Sequence, residues 1–120
     1  MEQFSIESLP GLRAGVRILR LNGPFDISNV FDFQSASRAV TEPALIVDVT
    51  DVPYMDSAAL GSILGMHCSC ERQRRPFALA GASDRLRTLF KVAGVDTLLV
   101  IYPTIEEAQE KLAHQGAAAG

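Results

Sequence analysis

The segment Ala44–Thr50 limits the fold more than any other part of the chain. It is apolar at nearly every position and rich in β-branched residues, and Asp48 is its one charged side chain. A strand with a solvent-facing side alternates apolar and polar residues, whereas a nearly continuous apolar run is typical of a strand buried in a parallel sheet. We therefore predict a central, buried strand here.

Apolar spacing in the rest of the chain alternates between the periods of strands and helices. Helices are predicted to begin at Ser28 or Asn29, at Ser57, after Ser83 and at Thr104, and to end before Pro43, near Arg74, at Gly94 and at Leu112. The other predicted strands are Phe4–Glu7, Gly15–Leu21, Phe77–Ala80 and Leu98–Ile101. A strand pair followed by alternating strands and helices predicts an α/β fold with a mixed, mainly parallel sheet of four to five strands and about four helices.

Length and charge restrict the classes of function. The 120 residues suffice for one domain with its own core, and we assign residues 1–115 to that domain and residues 116–120 to a flexible tail. The net charge of −3 argues against nucleic acid as a direct partner, because proteins that bind nucleic acid are normally basic. Residues 22–56 sum to −5, Ser57–Cys70 carries no charge, and residues 71–91 sum to +4.

Membrane insertion, secretion and metal binding are also disfavoured. The longest uncharged run, Ser57–Cys70, has 14 residues, whereas a membrane-spanning helix needs about 20 mostly apolar ones. The first ten residues contain two acids and no apolar block, unlike a signal peptide. Cys68 and Cys70 point in different directions on a predicted helix and have no companion ligands at zinc spacing. We expect a cytoplasmic protein without disulfide, metal or other cofactor.

The helix predicted from Ser57 has two opposed faces. At 100° per residue one face is an apolar stripe around Leu60 and Ile63 that includes His67. Each interior glycine costs about 1 kcal/mol relative to alanine, which indicates either close packing within the chain or a smooth surface that a partner protein approaches. We favour a partner surface, because the small residues lie opposite the apolar stripe; they are Ala58, Gly61, Ser62, Gly65 and Ser69.

Asp56 and Ser57 lie at the start of this helix. Either side chain could serve as the N-cap by accepting a hydrogen bond from a free backbone N–H. Ser57 has no Gly-x-Ser-x-Gly frame, and neither His67 nor His114 is placed to act as its base, so no catalytic residue is predicted. A hydroxyl at an exposed helix tip is instead suited to be the substrate of a separate kinase.

The segment Val52–Leu64, which follows the strand Leu45–Val49, resembles the phosphorylation segment of the STAS-domain anti-sigma-factor antagonists (anti-anti-sigma factors). The signature of that family is Asp-Ser-Ser-Gly-Leu-Gly, and this chain has Asp-Ser-Ala-Ala-Leu-Gly from Asp56. Weaker matches are Leu21–Asp26 and the stretch from Leu79 to Gly94. The resemblance covers most of residues 15–112.

This resemblance implies a STAS fold and a regulatory protein rather than an enzyme. Members of the family, when unphosphorylated, bind an anti-sigma factor that carries a GHKL-type serine kinase domain, and thereby release the sigma factor. Phosphorylation of the motif serine blocks binding, and a PP2C-type phosphatase restores it. By position, Ser57 would accept the phosphate, Asp56 would be the adjacent acid and Asp26 the acid beside the acceptor. The resulting partner-binding prediction is Asp26, Asp56, Ser57, Ala58, Gly61, Ser62 and Gly65.

Two residues depart from the family signature. Ala58 replaces the second serine, so Ser57 is the only acceptor in the motif. Ala59 replaces a glycine and adds a methyl group at the start of the helix, where it could alter the fit of a partner.

Two other functions stay open at this point. One is a non-phosphorylated STAS scaffold, in a stress-signalling assembly or as the accessory of a lipid transporter, although the intact Ser57 argues against it. The other is a protein that binds a small ligand or nucleotide through Gly81–Ser83, with Arg85, Arg87 and Lys91 nearby. That loop lacks a Gly-x-x-x-x-Gly-Lys frame, so a plain strand-to-helix turn capped by Ser83 is favoured.

Overall fold

The computed structural model describes the backbone of residues 3–119 and the side chains of residues 3–112. Within these residues the helices are α1 (Val30–Arg38), α2 (Ser57–Arg72), α3 (Asp84–Val92) and α4 (Ile105–Ala119), and a 3-10 turn, Ile27–Asn29, precedes α1. The strands are β1 (Ser5–Pro10), β2 (Val16–Asn22), β3 (Ala44–Asp51), β4 (Phe77–Ala80) and β5 (Ile101–Tyr102).

The five strands form one sheet in the order in which they occur in the chain. β1 and β2 pair antiparallel, and every later pair is parallel, so the predicted mixed, mainly parallel sheet is confirmed. β3 lies in the middle, as predicted, and is buried from Ala44 to Val49.

Burial on both faces explains the continuous apolar run of β3. Leu45, Val47 and Val49 belong to the larger core, which α1, α2 and α3 cover. Ala44 and Ile46 face the opposite way and pack in a smaller core with Ala108 and Leu112 of α4. Successive side chains of a strand point to opposite faces, so both faces need apolar residues when helices cover both.

Asp48, the one charged residue of this run, is compensated by hydrogen bonds. Its Oδ1 accepts from the Thr50 backbone N–H at 3.0 Å and from the Thr50 hydroxyl at 2.6 Å. Its Oδ2 lies 3.4 Å from Nε of Arg20 on the neighbouring strand. A buried carboxylate is tolerated when its oxygens are paired in this way.

Several predicted element boundaries are wrong. The last strand begins at Ile101 rather than Leu98, because the N–H groups of Leu98 and Leu99 donate to the Val95 carbonyl in a turn. α2 ends at Arg72, since Arg74 has a positive φ of 55° that stops the helix. Neither Ser28 nor Asn29 caps α1 through its side chain; the side-chain cap in this region comes from Asp26, at the 3-10 turn.

α4 continues past Leu112, where the apolar pattern predicted its end. Thr104 caps its first turn as expected, because the Thr104 hydroxyl accepts from the Glu107 N–H at 3.1 Å. The predicted domain of residues 1–115 and flexible tail of residues 116–120 stay predictions, since the side chains from residue 113 onward lie outside the described ones. Among the described residues, none of the helices has both the length and the apolar composition of a membrane span.

The turn between β4 and α3 depends on Gly81. Its φ is +77°, and a Cβ at this position would lie 2.0 Å from Oγ1 of Thr50, which Asp48 holds in place. Ser83 then caps α3 by accepting from the Leu86 N–H at 3.2 Å, as predicted. Close contact with β3, in addition to the backbone angle, therefore requires glycine here.

We expect Gly81→Ala to lower the free energy of unfolding by about 3 kcal/mol, because left-handed strain adds to the clash with Thr50. Gly94→Ala is the matched control: its φ is +76° but a Cβ there meets nothing within 4 Å. The control should lower the free energy of unfolding by about 1 kcal/mol, from the left-handed backbone strain alone. Urea unfolding of both variants measures the difference, and equal losses would contradict the contact with Thr50.

Candidate functional site

The start of α2 is joined by backbone hydrogen bonds to the connection between β2 and α1. Phe25 and Met55 form an isolated parallel bridge. The Phe25 N–H donates to the Tyr54 carbonyl at 3.1 Å, and the Asp56 N–H donates to the Phe25 carbonyl at 3.2 Å. This pairing places Asp26 and Asp56, which are far apart in the sequence, on adjoining segments at one edge of the sheet.

The Asp56 carboxylate uses both oxygens to fix this junction. Oδ1 accepts from the Ala59 N–H at 2.9 Å and so caps α2. Oδ2 accepts from the Ile27 N–H at 3.0 Å, across the junction. Of the two candidates for the N-cap, Asp56 therefore fills the position, which leaves Ser57 as the first residue of the helix with an exposed side chain.

Asp26 organises the other half of the junction. Its Oδ1 accepts from the Ser28 N–H at 3.0 Å and from the Asn29 side-chain amide at 3.2 Å, which holds the 3-10 turn before α1. The side chain is half-buried. Two carboxylates therefore flank the helix tip that presents Ser57, and each of them has a structural role of its own.

The glycines of α2 do not serve packing within the described chain. Gly61 and Gly65 are exposed, and a Cβ built at either position meets nothing within 4 Å. Close packing against another helix, the alternative explanation of these glycines, is thereby excluded for the described residues. Ala58 is half-buried beside them. The small residues leave an open strip along α2 that begins one residue after Ser57.

Two predictions about this strip need correction. Ser62 is only 8% exposed, and its hydroxyl donates to the Ala59 carbonyl at 2.6 Å, so it offers almost no surface to a partner. Ala59 is fully buried, so its methyl group fills the core and does not alter the partner-facing surface directly. Both residues lie at the boundary between the two helix faces, where a small error in the predicted angle changes the predicted burial.

Exposed apolar side chains lie on the two segments of the junction and in the first turn of α1, and the sequence patterns did not identify them. Ile27 and Phe31 are 73% and 74% exposed. Tyr54, exposed as well, lies on the segment before α2, and the guanidinium of Arg85 lies 6.0 Å from its ring centroid. The exposure of Phe31 could have been predicted from the sequence, because this large apolar residue lies outside the apolar spacing of α1.

The loop Gly81–Ser83 forms the predicted strand-to-helix turn. Gly81 packs against Thr50 on one side of the loop, Ser83 caps α3, and the Ala82 carbonyl accepts from Nε of Arg87 at 3.3 Å. Across the described residues, no three histidine, cysteine or acidic side chains come together as they would to hold a metal ion.

Part of the chain is similar in sequence to a curated protein. The anti-sigma-B factor antagonist of Listeria monocytogenes is 39% identical over 57 residues, which is 48% of this chain and 50% of that protein. The chain thus matches about half the length of this curated relative.

Solved structures share the fold across two kinds of protein. An anti-sigma factor antagonist from Mycobacterium paratuberculosis superimposes with a TM-score of 0.77 at 23% identity, covering 91% of this chain and 95% of that one. A sulfate transporter family protein from Wolinella succinogenes gives a TM-score of 0.73 at 24% identity, covering 92% and 91%. At these identities the likeness establishes the fold alone.

The family assignment rests on the sequence model of the STAS domain, which matches residues 11–108. The matched range contains the strands β2 to β5, the acid-flanked tip of α2 and the turn at Gly81. The protein belongs to the STAS domain family.

Proposed function

We propose that this protein is an anti-sigma factor antagonist that binds an anti-sigma factor through the tip of α2 and is switched off by phosphorylation of Ser57. The observation that carries the proposal is the exposed hydroxyl of Ser57 on a helix tip that Asp56 anchors with both carboxylate oxygens. A kinase needs an accessible hydroxyl, and a protein interface needs a fixed backbone. This junction provides both.

The surface around Ser57 has the composition of a protein interface. Exposed Ile27, Phe31 and Tyr54 provide apolar area, and Asp26 and Asp56 provide a charged border. Interfaces commonly combine an apolar, aromatic-rich centre with a polar rim. The open strip at Gly61 and Gly65 allows a partner backbone to approach α2 closely. Ser62 drops out of this surface because it is buried.

The phosphate would act by charge and size rather than by unfolding the helix. Phosphoserine adds about −1.5 to −2 charges, and a helix N-terminus accommodates negative charge through its dipole. The segment before Ser57 already sums to −5, however. Like charges brought together at an interface cost several kcal/mol, and about 4 kcal/mol corresponds to roughly a thousandfold in affinity. One phosphate is thus enough for an on–off switch.

The resemblance to the antagonist family supports the nature of the partners. The anti-sigma factor would carry a GHKL-type serine kinase domain and phosphorylate Ser57 itself, and a PP2C-type phosphatase would remove the phosphate. The names of the curated relatives agree with an antagonist function. A non-phosphorylated scaffold, as in a transporter-associated STAS domain, is the alternative that the first experiment below separates.

The chain should be incubated with ATP and, one at a time, each candidate anti-sigma kinase encoded in the same genome. The cognate kinase should place one phosphate on Ser57. Ser57 is the exposed hydroxyl of the anchored helix tip, so mass spectrometric mapping should find the phosphate there and find none on Ser57→Ala. Absence of phosphate with every candidate kinase would favour the scaffold function instead.

We expect Ser57→Ala to bind the cognate kinase as tightly as the unmodified chain and Ser57→Asp to bind it at least tenfold more weakly, because the added carboxylate meets like charge in the interface. Isothermal titration calorimetry of the two variants measures the ratio. Equal affinities would contradict a charge-based switch.

Asp56→Ala should lower the free energy of unfolding by about 2 kcal/mol, because it removes the cap of α2 and the bond to Ile27 together. Asp51→Ala is the control, since Asp51 is an exposed acid at the same end of β3 and loses the same charge. The control should change stability by less than about 0.5 kcal/mol. Equal urea midpoints for the two variants would show that Asp56 does not anchor the junction.

A further inference from the structure

A groove of about 420 Å³ lies between α1 and α2. Three arginines line it: Arg38 in the last turn of α1, Arg72 in the last turn of α2, and Arg75 just beyond α2. Among the described residues, no aspartate or glutamate lines this groove. That concentration of positive charge contrasts with the net charge of −3 of the whole chain.

Ser37 gives an independent indication that the groove takes a ligand. It lines the groove, is 1% exposed, and its hydroxyl has no hydrogen-bond partner in the described part of the chain. Buried polar groups are nearly always paired, so an unpaired hydroxyl at the wall of a groove needs an explanation. The hydroxyl oxygen is closed off from solvent, so a bound acceptor satisfies it when the Ser37 side chain turns toward the groove.

Neighbouring groups leave the arginine charges available. Arg75 is held by the Val40 and Glu42 carbonyls, at 3.3 and 2.7 Å, which fix its guanidinium without neutralising it. The Glu42 carboxylate is instead bound by Arg17, and the Arg17 side chain beside it lowers the pKa of Glu42. In the described residues, neither Arg38 nor Arg72 forms an ion pair.

The helix dipoles do not cancel this charge. α1 and α2 both end at the groove, and each helix C-terminus carries about half a negative charge. The two termini together offset about one of the three arginine charges, so the groove stays positive.

We propose that this groove binds a small polyanion whose phosphate or carboxylate groups are held by Arg38 and Arg72 and accept a hydrogen bond from Ser37. Guanidinium groups bind both kinds of oxyanion with paired hydrogen bonds. The groove volume lies within the range of small-molecule sites. Gly61 and Gly65 also line the groove and keep it open, because they have no side chains. This site does not depend on phosphorylation of Ser57, but it shares Gly61 and Gly65 with the surface proposed for the partner protein.

Isothermal titration calorimetry of the whole chain with pyrophosphate and with citrate tests the proposal and distinguishes phosphate from carboxylate ligands. Saturable binding of either anion supports the site. Arg38→Gln and Arg72→Gln should each weaken the binding by about tenfold, because each removes a charged hydrogen-bond donor. Arg13→Gln is the control: Arg13 is an exposed arginine in the β1–β2 loop, away from the groove, and its loss should change the affinity by less than twofold.

Ser37→Ala separates a ligand-binding hydroxyl from a structural one. The substitution removes a buried group that has no partner, so the melting temperature should not fall, whereas the affinity for the bound anion should drop several-fold. A lower melting temperature with unchanged affinity would remove Ser37 from the site. Two results would overturn the proposal. One is that neither anion shows saturable binding up to about 10 mM. The other is that Arg13→Gln loses as much affinity as Arg38→Gln and Arg72→Gln do.

Discussion

Burial of β3 on both faces is the constraint on which the remaining structure depends. Leu45 and Val47 are covered by α1 to α3, and Ile46 is covered by α4, so the strand is fixed from two sides. The segment that leaves its C-terminal end is fixed as well, through the bridge between Phe25 and Met55. Asp56 then joins α2 to the turn before α1. Together these contacts fix the start of α2 and leave the side chain of Ser57 exposed.

Much of this arrangement follows from local sequence patterns. The continuous apolar run predicts β3, the helix start at Asp56 and Ser57 follows from its capping residues, and glycines opposite an apolar stripe predict the open strip on α2. Predictions from local patterns are wrong where tertiary contacts determine a boundary or the burial of a residue. The run Leu98–Ile101 reads as a strand, but a turn at Val95 uses its first N–H groups. Ala59 and Ser62 lie at the boundary between two helix faces, where packing rather than spacing sets burial.

The site contains residues that only the fold could bring together. Asp26 and Asp56 share a junction because two loops pair through backbone hydrogen bonds. The family resemblance implies an acid at Asp26 beside the acceptor, but no spacing in the sequence predicts the pairing. The fold also separates the acidic and basic segments of the chain in space. The acidic segment contributes the carboxylates at the start of α2, and the groove at its other end is lined by arginines. One helix therefore has carboxylates at its start and arginines near its end.

We expect phosphate on Ser57 to change the surface of a fixed helix tip without rearranging the helix. Amide chemical shifts and urea unfolding of the chain with phosphoserine incorporated at residue 57, compared with the unmodified chain, test it directly. We predict shift changes confined to residues 25–31 and 54–61 and free energies of unfolding within about 1 kcal/mol of each other. Shift changes throughout α2 and β3, or a loss of several kcal/mol, would contradict the claim.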